Sequence, residues 1–513
     1  MTMNLLHEPL QDHARRQPDK TAVRDGERSV TYHELWEKIQ GFAGFLSGRF
    51  RQKARVGILL SNNLEAVVSI YAAPAAGMIA VPMDADIHPR NLDSAIRSCG
   101  ISTLVTSGKF LGRLRDSGTA RLLPLILAGE SVPRKKSFSF EQALQDGRRG
   151  EKPLPELGPS DVACILTTAG TTDEPKAVML SHANLRAASH NIRQVMGIDA
   201  GIVESLPMRI SHSFGFGRLR AVLESGGTVI LEDGLVRPER VLAALKEKRA
   251  NALSLVPAGF AILLTYYRES FREIAGQLRF IEIGSAFMRR DQKEMLMELC
   301  PAALISMHYG LTEASRAAFL DFHREKAFLD TAGKPSPGVR IKIVDENGNE
   351  SGPGDRGEIL IRGDTVSPGY WGKPELTASV LKDGWLHTGD SGFVDENGYL
   401  HLLGRRQDTI NLGGIKVSPR EVEEVLLKYK GILEAAVVGV KSEEAVTGEI
   451  IKAFLVVDDR EKFRDLAGLK KFCLREIEAY KVPQEFEIIP TLPKTGSGKV
   501  KTHLLAEPRG KKP

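Results

Sequence analysis

At 513 residues, with 42% apolar and 26% charged side chains, the chain has the composition of an ordinary globular protein too long for one core. A net charge of +5 without a dense Lys/Arg cluster argues against a nucleic-acid partner. Cys99, Cys164, Cys300 and Cys473 lie too far apart for a metal or disulfide framework and read as reduced thiols of a cytoplasmic protein.

The N-terminus, MTMNLLHEPLQDHARRQ, carries charge too early for a secretory leader. Thr31 with Glu34 forms a capping box before the helical pattern LWEKIQGFAGFL. ARVGILLSN (54–62) reads as a strand. Ala66 to Met83 then runs 18 residues without a charge, the length of a membrane span. Its alanines, Pro74, Gly77 and Pro82 fit a buried helix followed by a strand, with no integral membrane segment. Strand and helix keep alternating through STLVTSG (102–108), GTVILED (227–233), PERVLAALKEKR (238–249) and ALSLVPA (252–258), a pattern of parallel sheets covered by helices. From about Gly338 the texture changes to short strands closed by Asn-Gly, Asp-Gly and Gly-Asp turns. The last hundred or so residues return to mixed elements, with a helix expected around Lys470 to Tyr480. The pattern predicts an α/β protein. Its large N-terminal domain (1–403) has helix-covered sheets and a β-rich subdomain (338–403). A short hinge (404–407) leads to a small mobile α+β C-terminal domain (408–513).

The densest chemistry lies in LTTAGTTDEPKAVMLSH (166–182). A short apolar run precedes it and Ser181 caps a helical run after it. Its hydroxyls, Gly170 and Lys176 predict an anion cradle on a strand-to-helix turn, with polyphosphate as the guest. The common nucleotide loop is excluded, because Lys176 has neither a preceding glycine nor a following Ser or Thr. Further along stand PMRISHSFGFG (207–217) and IEIGSAFM (281–288), then HYGLTEAS (308–315) and WLHTGDSG (385–392), where Asp390 is expected in a tight turn. GRRQDTINLGGIKVSPREVE (404–423) and LPKTGSGKVKTHLL (492–505) complete the series.

In this order the motifs resemble those of the adenylate-forming superfamily of acyl-CoA synthetases, peptide-synthetase adenylation domains and luciferases, closest to the acyl- or aryl-CoA ligases. The likeness covers about residues 30 to 505. The family's phosphate signature, Thr-Ser-Gly-Thr-Thr-Gly-x-Pro-Lys-Gly, is matched at Thr168, Gly170, Thr171, Thr172, Pro175 and Lys176, while Ala169, Asp173 and Ala177 depart from it. The resemblance implies an ATP-binding set of those loop residues with Gly284, Ser285 and Ala286 against the adenine, Tyr309 and Gly310 stacking on it, and Thr312 on the α-phosphate. Asp390 and Arg405 would hold the ribose and Glu313 a Mg²⁺ ion. His212 would wall the acid pocket, Lys499 would act in catalysis, Gln407 would be the hinge, and Gly413-Gly414 would leave a thiol tunnel.

The implied reaction activates a small-molecule carboxylic acid as acyl-AMP, releases pyrophosphate and passes the acyl group to coenzyme A. The segment 207–217 contains no carboxylate to hold an α-amino group, which disfavours an amino-acid substrate. Three alternatives stay open: transfer to the phosphopantetheine of an acyl carrier protein, release of the adenylate, and a non-catalytic nucleotide- or acyl-binding paralogue suggested by Asp173. A homodimer is compatible with the sequence, and the acid itself is not specified by it.

Overall fold

The computed structural model describes residues 5–87, 89–129, 137–149, 155–168, 176–235, 238–247, 250–405, 408, 410–412, 415–441, 449–458, 463, 465–495 and 498–506. Within them the alternating pattern becomes two sheets. In one, parallel strands Leu304–Tyr309, Phe280–Ile283, Ala252–Leu255, Val203–Leu206, Thr228–Leu231 and Thr21–Asp25 lie side by side, with antiparallel strands at both edges. In the other, Ser137–Ser139, Leu125–Ala128, Ile101–Ser107, Arg55–Leu59, Ile79–Pro82 and Val162–Thr168 are parallel, and Lys176–Ser181 closes the edge antiparallel. Strands covered on both faces need continuous apolar runs, and Ile79–Pro82 and Thr228–Leu231 are buried at every residue.

The uncharged stretch is explained by its surroundings. Helix Leu64–Ala75 is buried at every position except Glu65, so it has no polar face to write into the sequence. Among the described residues no helix is long and apolar enough to cross a membrane. The capping box forms as expected, with the Glu34 amide donating to Thr31 Oγ1 at 3.2 Å and the Thr31 amide donating to Glu34 Oε2 at 2.8 Å. All four cysteines are free and buried.

Residues 339–405 build a separate antiparallel sheet from Val339–Val344, Gly357–Gly363, Leu381–Lys382, Trp385–Val394 and Leu400–Arg405. Beyond it, Ile432–Lys441 and Glu449–Val457 pair antiparallel and Glu485–Ile488 joins parallel. Helices Pro419–Leu426 and Leu466–Glu476 contribute Val422, Leu426, Leu469 and Cys473 to a core of their own. The second helix spans Leu466–Glu476 rather than Lys470 to Tyr480, since Asp465 caps it by accepting from the Gly468 amide at 2.8 Å.

Candidate active site

Parallel strands end on one edge of a sheet, and the loops leaving that edge are where an α/β protein binds ligands. Here the loops after Val203–Leu206, Phe280–Ile283 and Leu304–Tyr309 hold His212, the Gly284–Ala286 run and the Gly310–Glu313 run. Three motifs separated by up to a hundred residues are therefore neighbours.

The phosphate loop departs from expectation. Thr168 ends one strand and Lys176 begins the next, and the two are register partners in an antiparallel pair. The loop is thus strand-to-strand. The helix His182–Met196 starts only after the second strand, where the Asn184 amide donates to Ser181 Oγ at 3.1 Å. The apolar run within KAVMLS is only four residues, Ala177 to Leu180, too short for its pattern to announce a strand. Gly170, Thr171 and Thr172 lie outside the described residues, as do Ala169, Asp173 and Pro175.

Lys176 has an unforeseen neighbour. Residues 369–371 run alongside Lys176–Ser181, with the Met179 amide donating to Gly369 O at 2.9 Å and the Trp371 amide donating to Ala177 O at 2.8 Å. This places the Tyr370 ring 5.7 Å from Lys176 Nζ, while the Tyr370 hydroxyl donates to Glu313 Oε1 at 2.8 Å. Tyr370 thus joins the phosphate-loop lysine to the carboxylate expected to hold metal. The turn SPGYWG was the only sequence signal for it.

Glu313 is half-buried, and among the described residues its carboxylate takes only the Tyr370 hydroxyl. A carboxylate with spare acceptor capacity suits Mg²⁺, which binds through one or two carboxylates plus substrate phosphates. Thr312 and Glu313 sit in a turn closed by reciprocal bonds between Leu311 and Ala314, at 3.1 and 3.2 Å. At Gly310 an added Cβ would lie 2.6 Å from the Arg316 nitrogen, so only glycine fits. Ser285, in the expected adenine wall, takes the left-handed conformation at φ 73°, unusual for a residue with a side chain.

Asp390 lies in the long strand Trp385–Val394, not in a tight turn. Gly389, at φ 70°, bends the strand locally, and the cross-strand partner of Asp390 is Arg405. Arg405 Nε lies 2.8 Å from Asp390 Oδ1, and the Tyr309 hydroxyl donates to Asp390 Oδ2 at 2.6 Å. Tyr309, expected on the adenine, and Arg405, expected with Asp390 on the ribose, thus both contact the Asp390 carboxylate. Burial raises the Asp390 pKa despite the opposing pull of Arg405, Tyr309 and Lys499.

Lys499 comes from the other end of the chain. Its amide donates to Thr495 Oγ1 at 3.1 Å, and its carbonyl accepts from the Thr495 amide at 2.8 Å. The side chain keeps solvent contact, yet the ammonium is close enough to protein that desolvation, then Arg405, lowers its pKa. Asp390 and Glu313 act on it in the opposite direction. The Lys499 loop therefore faces the Tyr309–Asp390–Arg405 cluster. Gln407, Gly413, Gly414, Gly496 and Ser497 lie outside the described residues. Nearby, a cavity of about 530 Å³ is bounded by Phe287, Arg405, Asp408, Arg420 and Val500, beside this cluster rather than between His212 and Glu313.

His212 is the residue before helix Ser213–Glu224, and its Nε2 lies 3.2 Å from Asp84 Oδ2. Arg209 Nη1 donates to the same carboxylate at 2.7 Å. Burial works against the Asp84 charge, but bonds from His212 and the Asp86 amide, with the charges of His212 and Arg209, hold its pKa at about 2. Below this wall lies a wholly buried charge network. Arg218 binds Glu204, its Nε donating to Oε1 at 2.9 Å, and its Nη1 donates to Glu282 Oε2 at 3.1 Å. Ser254 donates to Glu204 at 2.7 Å, and Arg316 Nε donates to Glu282 Oε1 at 3.2 Å. Arg316 also donates to the carbonyls of Ser213 and Phe214, both at 3.0 Å. This network fastens the helix after His212 to the turn carrying Thr312 and Glu313.

A family model described as AMP-binding enzyme matches residues 10–371, and one described as AMP-binding enzyme C-terminal domain matches residues 421–499. The chain belongs to the AMP-binding enzyme family. This AMP-binding enzyme is 31% identical to a feruloyl-CoA synthase of Amycolatopsis sp over 95% of each chain. It is 29% identical to a long-chain-fatty-acid–CoA ligase of Salmonella typhimurium, over 99% of this chain and 95% of the other. The crystal structure of ATP-bound MatB from Rhodopseudomonas palustris superimposes with a TM-score of 0.89 at 27% identity, covering 99% and 98% of the two chains. The mixed α/β architecture expected of the family is the one observed.

If Asp390 receives the ribose hydroxyls, Asp390→Ala should weaken ATP binding by about 1.5–3 kcal/mol, the range for bonds to a charged acceptor. Tyr309→Phe, which leaves the carboxylate and Arg405 in place, should cost less. Calorimetric titration with ATP checks both, and unchanged affinity in Asp390→Ala would leave the pair a purely structural role.

Proposed function

We propose that the chain is an AMP-forming acid–thiol ligase that joins a small-molecule carboxylic acid to the thiol of coenzyme A through an acyl-adenylate. The observation that carries this reading is the convergence of Lys499 on Asp390, Arg405 and Glu313, contributed by three distant segments. Such a cluster suits a reaction in which a carboxylate attacks the α-phosphorus of ATP and negative charge redistributes on the oxygens.

In this reading Tyr309 and Gly310 face one side of the adenine and Gly284–Ala286 the other, and Asp390 with Arg405 takes the ribose. Thr168, Gly170, Thr171, Thr172 and Lys176 hold the β- and γ-phosphates, and Thr312 bonds the α-phosphate. Glu313 would hold Mg²⁺, which supplies charge neutralisation of the polyphosphate. Lys499 bridges the incoming carboxylate and the α-phosphate, and the His212 wall confines the acid. The hinge at 404–407 then lets the segment 408–513 turn about Gln407 and bring Gly413-Gly414 to the adenylate, excluding water from a labile anhydride.

The test is acid-dependent ATP–pyrophosphate exchange, followed by detection of the thioester with CoA. Absence of exchange with every acid would favour the non-catalytic paralogue. Thioester on a phosphopantetheine carrier protein but not on CoA would reassign the acceptor.

The lowered pKa of Lys499 carries a sign. The bridging group must be the ammonium, which is lost as pH rises, so a depressed pKa brings the alkaline limb of kcat/KM below the ordinary lysine value of about 10.4. Bound polyphosphate favours the cation, so the limb in kcat should lie at higher pH than that in kcat/KM. In Lys499→Arg, whose guanidinium stays charged, any residual activity should show no such limb. A limb at the same pH in that variant would belong to another group.

A further inference from the structure

One buried tyrosine stands between a residue expected on the phosphates and the residue expected on the metal, and the mechanism above does not use it. It belongs to the strap VSPGYW (366–371), which is bonded on both sides. Val366 bridges to Ala314, and the Ser367 amide donates to Glu313 O at 2.8 Å. Tyr370 bridges to Val178 in the strand that Lys176 opens. The metal-side turn and the phosphate-side strand are thus tied to one short segment.

That segment is itself held in place. Asn184 Nδ2 donates to the carbonyls of Asp364 and Val366, both at 2.8 Å. The Tyr370 amide donates to Thr377 Oγ1 at 2.9 Å. Gly369 takes φ 120°, where a side chain is strained, and a Cβ there would lie 2.2 Å from Thr377 Cγ2. The backbone carrying Tyr370 is therefore fixed by elements on both sides of it.

The side chain touches opposite charges with its two parts. Tyr370 is 5% exposed. Lys176 Nζ lies over its ring, 5.7 Å from the centre, and its hydroxyl donates to Glu313 Oε1 at 2.8 Å. Burial, then the Glu313 charge, keeps the phenol protonated by raising its pKa. Among the described residues Lys176 makes no ion pair and Glu313 Oε2 has no partner. A lysine ammonium is a point charge on a flexible stem and pairs readily with a carboxylate across the same site. Such a pair would neutralise both groups before nucleotide arrived, and MgATP would have to break it.

Resting on the ligase reading above, we propose that Tyr370 is a positioning residue that insulates Lys176 from Glu313. Its ring holds the ammonium by cation–π attraction, and its hydroxyl orients the carboxylate through one oxygen while leaving the other free. The lysine thus stays available for the phosphates and the free carboxylate oxygen for the metal.

The experiment titrates the full chain with ATP by calorimetry, once with excess Mg²⁺ and once with EDTA. Tyr370→Phe keeps the ring without the hydroxyl. Its affinity in EDTA should match wild type, while the gain in affinity from Mg²⁺ should shrink by about tenfold. Tyr370→Leu removes both parts and should also weaken ATP in EDTA by about threefold or more, as Lys176 turns to Glu313. That second loss should disappear in the Glu313→Gln background, where the lysine has no carboxylate to meet. An undiminished Mg²⁺ gain in Tyr370→Phe would overturn the proposal even if Tyr370→Leu does not fold. A loss in Tyr370→Leu of equal size in both backgrounds would overturn it too, since damage to the strap alone would then explain the result. Either outcome, with ATP still bound by wild type, leaves the ligase reading intact. No binding of ATP by wild type in either buffer would remove both.

Discussion

Replacing Lys499 by alanine should slow acyl-adenylate formation by about 10²-fold or more while sparing thiolation of a pre-made acyl-adenylate. The loop carrying Lys499 is closed on itself by Thr495, so the backbone from which the ammonium projects is fixed before ATP arrives. A partly desolvated cation carried on a fixed loop stabilises developing negative charge with little backbone reorganisation. A loss of 10² corresponds to about 2.7 kcal/mol of transition-state stabilisation. The second half-reaction breaks a mixed anhydride with a thiol and needs no cation between carboxylate and phosphate. Single-turnover pyrophosphate release measures the first step, and thioester formation from synthetic acyl-adenylate measures the second. Parallel loss in both would mean that Lys499 does not act in adenylation alone, and the alternating use of the C-terminal segment would fall with it.

Arg218→Met should destabilise the protein by about 3–5 kcal/mol, because it leaves Glu204 and Glu282 buried with one cation fewer. All three side chains are fully buried, so neither water nor rearrangement of a surface rotamer can replace the guanidinium. Arg316 still faces Glu282, which leaves Glu204 the more exposed to the loss. Pairing the change with Glu204→Gln should restore part of the stability, since the orphaned charge is then removed with its partner. Urea unfolding followed by tryptophan fluorescence and by circular dichroism reads both proteins. A shift below 1 kcal/mol in the single variant would mean that the carboxylates protonate at little cost, and that the network does not set the local structure.

The parts of the site that were legible in the sequence are those whose chemistry is written within a few consecutive residues. The Thr312-Glu313 and Lys499 motifs could each be found as short runs, whereas Asp390 reads as part of a tight turn and lies in a strand. Their mutual contacts could not, because Asp390 and Arg405 meet only through the register of two strands. Arg218 was missed for a plainer reason: within SFGFGRLRAVLE it looks like the solvated face of a helix, and only the fold shows that face to be inside. A signal was nonetheless present. Glu204 in VESL and Glu282 in FIEI are carboxylates inside short apolar strands of a sheet covered on both faces, which demand buried cations somewhere. The segment around Lys176 reads as a strand-to-helix turn but lies between two paired strands, because the short apolar run within Lys176–Ser181 does not by itself announce a strand.

Arg405 is the last residue of its strand and touches both the Asp390 carboxylate and, with Nη1 donating at 3.0 Å, the Thr388 carbonyl. Under the ligase reading proposed above, one side chain would belong both to the nucleotide pocket and to the point where the chain leaves the antiparallel sheet. Thermodynamic reciprocity then applies: the factor by which bound nucleotide biases the posture of the C-terminal segment is the factor by which that posture alters nucleotide affinity. In that reading a tight grip on the ribose would hold back the swing to the thiol and release of that grip would favour it, so Arg405 would link how long ATP stays to when the second partner can enter.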